Sequence, residues 1–273
     1  MPILLGLLAS LLIGMSDFLG ARSAGRTTAL QTTTAAFLGG GMAALLYSPL
    51  LGNPRFEDIA LGALSGVALA IALTTLWRAY ALSSIGVAAP IAAVVSTVVP
   101  VLYGAARGEV PGVLGWLGIA VGIVALFLTS WQPVGDPSRV GVSLGLVSGL
   151  FFSAMYIIAI STSDEAGTWP IVPQRLTALV LAITAALVTR QRPFAGGSAT
   201  RVSLLAGVFG ASGVAAVVYG GQRGPIAPVV VAGSMYPAVA IALAWVFMGQ
   251  VLTPRQILGV IGALLGVALM SLD

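Results

Sequence analysis

Apolar stretches long enough to cross a bilayer follow one another along this chain almost without a break, and that spacing limits the fold more than any other feature. A helix needs ~20 apolar residues to cross the hydrocarbon core. Polar or turn-forming clusters cut the sequence into ten such pieces: 3–21, 28–50, 58–82, 87–106, 111–131, 139–161, 170–189, 201–222, 226–248 and 254–272. Gly52-Asn53-Pro54-Arg55 closes the second, and Gln132-Pro133 with Gly135-Asp136-Pro137 parts the fifth from the sixth. Asp164-Glu165-Ala166-Gly167 ends the sixth and Arg190-Gln191-Arg192-Pro193 the seventh, all residues that break regular structure. Runs such as Ile3–Ile13 and Leu176–Val188 are apolar all round. The strands of an outer-membrane barrel would alternate in polarity, so the stretches are read as helices.

Composition agrees with a lipid solvent. Only 7% of the 273 residues are charged and 58% are hydrophobic, where a soluble domain carries about a quarter charged residues. The N-terminal stretch lacks a basic leader and a clear cleavage site, so it reads as a retained span. The net charge of +4 comes from Arg residues scattered singly between apolar runs, a pattern that orients a membrane protein and predicts no nucleic-acid partner.

Several chemistries are excluded by what is missing. With no Cys and no His, there is no thiolate or imidazole metal site and no imidazole proton shuttle. With no Lys, there is no Schiff base and no phosphate-binding P-loop lysine. No cofactor and no metal are expected, and the residues do not supply a catalytic set for an intramembrane enzyme.

The second half repeats the first at a shift near 140 residues. Gly115-Trp-Leu-Gly118-Ile-Ala-Val-Gly122 in the fifth span resembles Gly259-Val-Ile-Gly262-Ala-Leu-Leu-Gly266 in the tenth. Ala89-Pro90 through Ser96 and Pro100 resembles Ala227-Pro228 through Ser234 and Pro237. The first span matches the sixth from Gly6/Gly145 through Gly14/Ser153 to Asp17/Tyr156, and Gln31-Thr-Thr-Thr-Ala resembles Gln174-Arg-Leu-Thr-Ala. Five spans per repeat is an odd number, so the second repeat enters the membrane from the opposite side, a recurring transporter design. The expected fold is an all-α integral membrane protein of ten transmembrane helices. They form two inverted five-helix repeats, residues 1–134 and 135–273. The matched glycines read first as packing positions, because small residues three or four apart let helix backbones approach closely.

Four segments then carry a family resemblance: Gly14-Met-Ser-Asp17-Phe-Leu-Gly20, Tyr80-Ala-Leu-Ser-Ser-Ile-Gly86 before Ala89-Pro90, Pro100 followed by Gly108-Glu109, and Gly249-Gln250-Val-Leu-Thr before the last glycine-rich span. In this order they resemble the EamA-type transporters of the drug/metabolite transporter superfamily, over nearly the whole chain. The resemblance implies a central cavity lined by the first, third, fourth, sixth, eighth and ninth helices, and carriage of metabolites or toxic compounds by proton antiport or exchange. The second repeat departs from the family pattern, with Gln250 where the first has Glu109.

Asp17 is the sharpest functional candidate, as the acid placed well inside a span. A charge at the bilayer centre costs at least ~2.5–3.5 kcal/mol, so it should face the bundle interior, where a carboxyl can exchange a proton or bind a substrate cation. The alternative is an interfacial ion pair with Arg22. Arg78 either binds a substrate carboxylate, pairs with Asp17, or reaches out to the headgroups. Arg175, at the start of the seventh span, reads as a structural anchor. Ser16, Trp77, Tyr80, Tyr156, Tyr219 and Tyr236 are expected to line a solute cavity, with Ser96, Thr97 and Ser234 as hydroxyl ligands beside the matched prolines. Trp131 and Trp169, at span ends, read as interfacial belt residues.

The connections that follow odd-numbered spans hold seven Arg (22, 26, 139, 190, 192, 201 and 255), and those that follow even-numbered spans hold three (55, 107 and 223). Positive-inside bias then puts both termini outside, whereas the resemblance puts them inside, and orientation stays open. The expected function is a secondary transporter in the cytoplasmic membrane, a proton-driven exporter of a small metabolite or drug-like solute, as monomer or homodimer. An ion-independent facilitator and a non-transporting assembly or sensor protein are the alternatives.

Overall fold

The computed structural model of the chain describes residues 2–24, 26–82, 85–130, 139–248 and 253–272. Among the described residues there are eleven α-helices and no strand. They are α1 (Pro2–Ala24), α2 (Ala29–Leu51), α3 (Phe56–Leu82), α4 (Ile85–Ala106), α5 (Val113–Ser130), α6 (Arg139–Ile160), α7 (Ile171–Val188), α8 (Gly197–Gly221), α9 (Ile226–Gly233), α10 (Tyr236–Met248) and α11 (Pro254–Ser271). Six of them, α1, α2, α3, α6, α7 and α8, are long and apolar enough to cross a membrane.

One sequence expectation needs correcting. The predicted ninth span, 226–248, is not one helix: it breaks at Ser234-Met235 into α9 and α10. Pro237 follows the break and has no N–H to give to the turn before it. The chain instead closes with short-range bonds, Met235 N to the Ala232 carbonyl (3.3 Å) and Ala238 N to the Met235 carbonyl (3.0 Å). Pro100, the matched residue in the first half, leaves α4 unbroken. It stands four residues after Ser96, whereas Pro237 stands three after Ser234.

Helix starts are set by side chains that meet the free N–H groups of a first turn. Thr28 and Thr253 are matching caps. Each hydroxyl accepts from the N–H three residues on, and Gln31 and Gln256 return the bond to the cap's own N–H, the reciprocal pattern of a capping box. The start of α9 is capped from a distant part of the chain: Ile226 N donates to Glu109 Oε2 at 2.7 Å. The carboxylate of the Gly108-Glu109 pair is thus a helix cap, placed where negative charge meets the positive end of the helix dipole.

The helices pack mainly across the two halves of the chain. The closest pairs are α1 with α8, α5 with α11, α2 with α8, α3 with α6, α4 with α6, and α3 with α7. What they bury is small: of the apolar core, most residues are Ala or Val, while Leu46, Leu50, Phe56, Leu258 and Leu264 point outward. Large apolar side chains outside and small ones inside is the order lipid favours. The matched glycines hold the α5–α11 contact. A Cβ on Gly118 would stand 2.7 Å from the Gly266 carbonyl, and one on Gly266 would stand 2.9 Å from the Gly118 carbonyl.

At one end the α2–α3 turn locks onto the α6–α7 turn. Asp58, only 3% exposed, accepts from Ser163 N (2.8 Å), Ser163 Oγ (2.9 Å) and Arg55 N (2.9 Å). Trp169 Nε1 donates to the Gly52 carbonyl at 2.8 Å, so this residue ties two turns together at the span end. Gln222, at the end of α8, joins through Thr162 (2.8 Å).

Two stability outcomes follow, both readable as thermal unfolding of the purified protein in detergent. Gly266→Val forces a side chain into the Gly118 backbone and should cost at least ~1–3 kcal/mol, the usual range for overpacking. Ala120→Val, on the exposed face of α5, should leave the midpoint unchanged. Glu109→Ala removes the α9 cap and should cost ~1 kcal/mol, with Glu109→Gln recovering most of it. Equal melting of the two Glu109 variants would contradict the cap.

Candidate functional site

Asp17 lies three-quarters of the way along α1, where three helices meet. Gly210 and Gly213 of α8 let α1 come close. A Cβ on Gly210 would stand 2.7 Å from Ser16 Oγ, and one on Gly213 2.6 Å from Ile13. On another side, Gly14 lies against the backbone and side chain of α10 at Tyr236 and Val239. Phe18 meets Phe247 with ring centroids 6.2 Å apart. The turn of α1 that carries Ser16 and Asp17 is therefore held between α8 and α10.

The Asp17 side chain is exposed, next to the turn of α1 that α8 and α10 hold. The ion pair seen among the described residues is Arg55–Glu165 (2.7 Å), between two exposed side chains. Such exposed pairs contribute little, and Asp17 is not bridged to Arg22.

Tyr156 of α6 is half-buried and lies within electrostatic reach of both Asp17 and Arg175. Arg175 is not at the molecule's rim. It is 6% exposed, its stem passes over Gly40 and Gly41 of α2, and its Nη2 donates to the Gly210 carbonyl at 3.3 Å. Gly210 stands at the middle of α8, so the guanidinium sits at mid-depth and does not reach for the headgroups. Arg175 Nε has no acceptor among the described residues, and the Tyr47 hydroxyl is buried. Tyr47 of α2 is in turn an electrostatic neighbour of Arg175, with Ser212 of α8 beside it. A buried donor without a partner costs ~1–3 kcal/mol.

The remaining sequence candidates are spread more widely. Thr97 and Ser234 are buried and meet each other: Thr97 Oγ1 donates to Ser234 Oγ (2.8 Å), and Ser234 Oγ donates to the Val230 carbonyl (2.8 Å). Ser96 is buried and bonds the Ala93 carbonyl at 3.0 Å. These hydroxyls stitch α4 to the break between α9 and α10. Tyr219 lies under Arg223, whose guanidinium carbon is 3.6 Å from the ring centroid, at the end of α8. Tyr236 opens α10 beside Gly14. Trp77, Arg78 and Tyr80 have side chains outside the described residues, as does the Gly249-Gln250 pair.

Sequence reasoning missed Tyr47 and Ser212 and read Arg175 as an anchor. The available signal was Arg175 itself, an ionisable residue inside a span, which is a functional hypothesis by default. Its position five residues into the predicted span hid how far an Arg side chain can reach.

Comparison with known proteins follows the same lines. Among 29 solved chains that resemble this one, a structure described only as "Crystal structure of protein" superposes with a TM-score of 0.80 over 99% of this chain and 98% of its own, at 15% identity. A likeness at that identity speaks to the fold alone. No curated protein matches the sequence. Residues 139–272 match the model of the EamA-like transporter family. On that match over the second half of the chain, and with its apolar helices, the chain belongs to that family, as a multi-pass membrane protein of drug/metabolite transporter type.

Proposed function

We propose that this chain is a secondary transporter that exports a small metabolite or drug-like solute across the cytoplasmic membrane in exchange for protons, with Asp17 as the coupling group. The observation that carries this reading is the Asp17 carboxylate: an acid inside an apolar span, on the stretch of α1 held between α8 and α10. Lipid penalises a carboxylate at that depth, and a proton or a solute cation is what it would exchange there. Ser16 beside it, with Tyr156 and Tyr236, would line the proposed solute path. Tyr219, Ser96, Thr97, Ser234 and the Trp77, Arg78 and Tyr80 group complete the proposed solute path.

Ten spans in two inverted repeats, residues 1–134 and 135–273, are part of this reading, and the packing supports it. If the halves exchange, α1 takes the place of α6, α2 of α7, α3 of α8, α4 of α9 and α10, and α5 of α11. Under that exchange the α1–α8 contact becomes α6–α3, α2–α8 becomes α7–α3, and α1 on α9 and α10 becomes α6 on α4, all pairs that are present. The α2–α7 and α5–α11 contacts map onto themselves. Two bundles related in this way can rock about a central site. Asp17 and Tyr156 occupy matched positions there, so one half supplies the ionisable group and the other a neutral phenol.

Proteoliposomes that contain only this chain, loaded with a pH-sensitive dye and given a pH gradient, test the reading. Amino acids, cationic dyes and sugars are added in turn, and at least one class should drive proton movement. Asp17→Asn should cut that flux at least about tenfold, the equivalent of ~1.4 kcal/mol. Full gradient-driven flux in the Asn variant would sink proton coupling through Asp17.

A further inference from the structure

We infer that Arg175 and Tyr47 form an anion subsite within the proposed solute path, and that the group it takes is a carboxylate of the solute. This rests on the reading that Asp17 and Tyr156 line that path. Arg175 carries a charge to mid-depth, where it is more than nine-tenths buried. No acid neutralises it among the described residues, since the ion pair there is Arg55–Glu165. Among the described residues its hydrogen bond is a long one to the Gly210 carbonyl, and Nε is left without an acceptor. The Tyr47 hydroxyl is a second buried polar group within electrostatic reach of the first, with the Ser212 hydroxyl as its polar neighbour. A buried cation with an open Nε, near a phenol hydroxyl that can donate, calls for an acceptor that carries negative charge.

The geometry favours a planar monoanion. A guanidinium offers parallel donors that match the two oxygens of a carboxylate. Arg175 is the one cation described at this place, and the chain has no Lys to add another, so a phosphate dianion would remain half neutralised. Gly40 and Gly41 leave room for the Arg175 stem to cross α2, which fixes where the fork points. Gly210, Ser212, Ser16 and Tyr156, near this place, are partly exposed, and Asp17 is exposed. Tyr156 is within electrostatic reach of both Asp17 and Arg175, and no ion pair joins those two among the described residues.

Purified full-length protein in lipid nanodiscs, in chloride-free buffer, gives the test by thermal unfolding. Sodium benzoate is the carboxylate probe, benzamide its neutral counterpart of the same shape, and sodium chloride the inorganic anion. Benzoate should raise the melting temperature to a plateau and benzamide should not. Arg175→Gln should abolish the plateau, and Tyr47→Phe should shift its midpoint at least about tenfold, as loss of a hydrogen bond to a charged group does. Equal responses to benzoate and benzamide, or an unchanged benzoate response in Arg175→Gln, would overturn the subsite. If Arg175→Gln does not fold, Tyr47→Phe decides, and an unchanged midpoint overturns it. A plateau with chloride and none with benzoate overturns the carboxylate assignment and gives the subsite to an inorganic anion. Proton-coupled flux in a protein with no anion response sinks the subsite alone, whereas an anion response in a protein without flux sinks the transport reading alone.

Discussion

Helices that meet in lipid gain nothing by hiding apolar surface, because the tails around them are as apolar as they are. What holds this bundle is close backbone contact, and everything else in the structure is arranged around it. Gly118 and Gly266 bring α5 and α11 within reach of each other's carbonyls, and Gly39 and Gly207 do the same for α2 and α8. The side chains that would fill a soluble core are turned outward instead, as Leu46, Leu50 and Leu264 are. Since these contacts join the first half of the chain to the second, neither half is built to stand alone.

Polar contacts then decide which parts of the bundle move together. The Asp58 cluster, the Trp169 bond to Gly52 and the Gln222 bond to Thr162 tie the ends of α2, α3, α6, α7 and α8 into one knot at one end of the molecule. The other end of α1 has a lighter tie, Ser23 Oγ to Ser203 Oγ at 2.7 Å. The break between α9 and α10 lies against Thr97 and α1. An interrupted helix leaves backbone groups that need a partner or a cavity; here Pro237 has no N–H for the Gly233 carbonyl, while the Val230 carbonyl takes both the N–H and the hydroxyl of Ser234.

Much of this architecture was readable in the chain. Apolar runs placed the helices to within a few residues because lipid imposes one length and one polarity, and the glycine spacing of the fifth and tenth spans anticipated a packing contact. The α9–α10 break was not readable from hydropathy, because residues 226–248 stay apolar across it; the signal was the shortened Ser-to-Pro spacing. Glu109 carried a motif but not its role, since the N–H it caps belongs to Ile226, more than a hundred positions away. Asp17 was found because acids are rare in such spans. Tyr47 was passed over because a tyrosine near a span end has an ordinary interfacial explanation, and only its buried hydroxyl near Arg175 separates it from that group.

The proposed repeat and the candidate site pull in different directions. A duplicated five-helix unit would give a symmetric cavity if its chemistry were duplicated too. Here the matched positions hold Asp17 in one half and Tyr156 in the other, and Gln31 where the second half has Gln174 followed by Arg175. Thr32, the residue that corresponds to Arg175, is buried with a hydroxyl 2.8 Å from Thr27 Oγ1. Negative charge therefore comes from the first half and positive charge from the second, with Tyr156 within electrostatic reach of both. Helix packing in lipid needs only small residues at the contacts, so under the proposed two-repeat reading the side chains away from those contacts are free to differ between the halves. A solute path lined by them would meet an acid from one half and a cation from the other, and the two ends of such a path would not be equivalent.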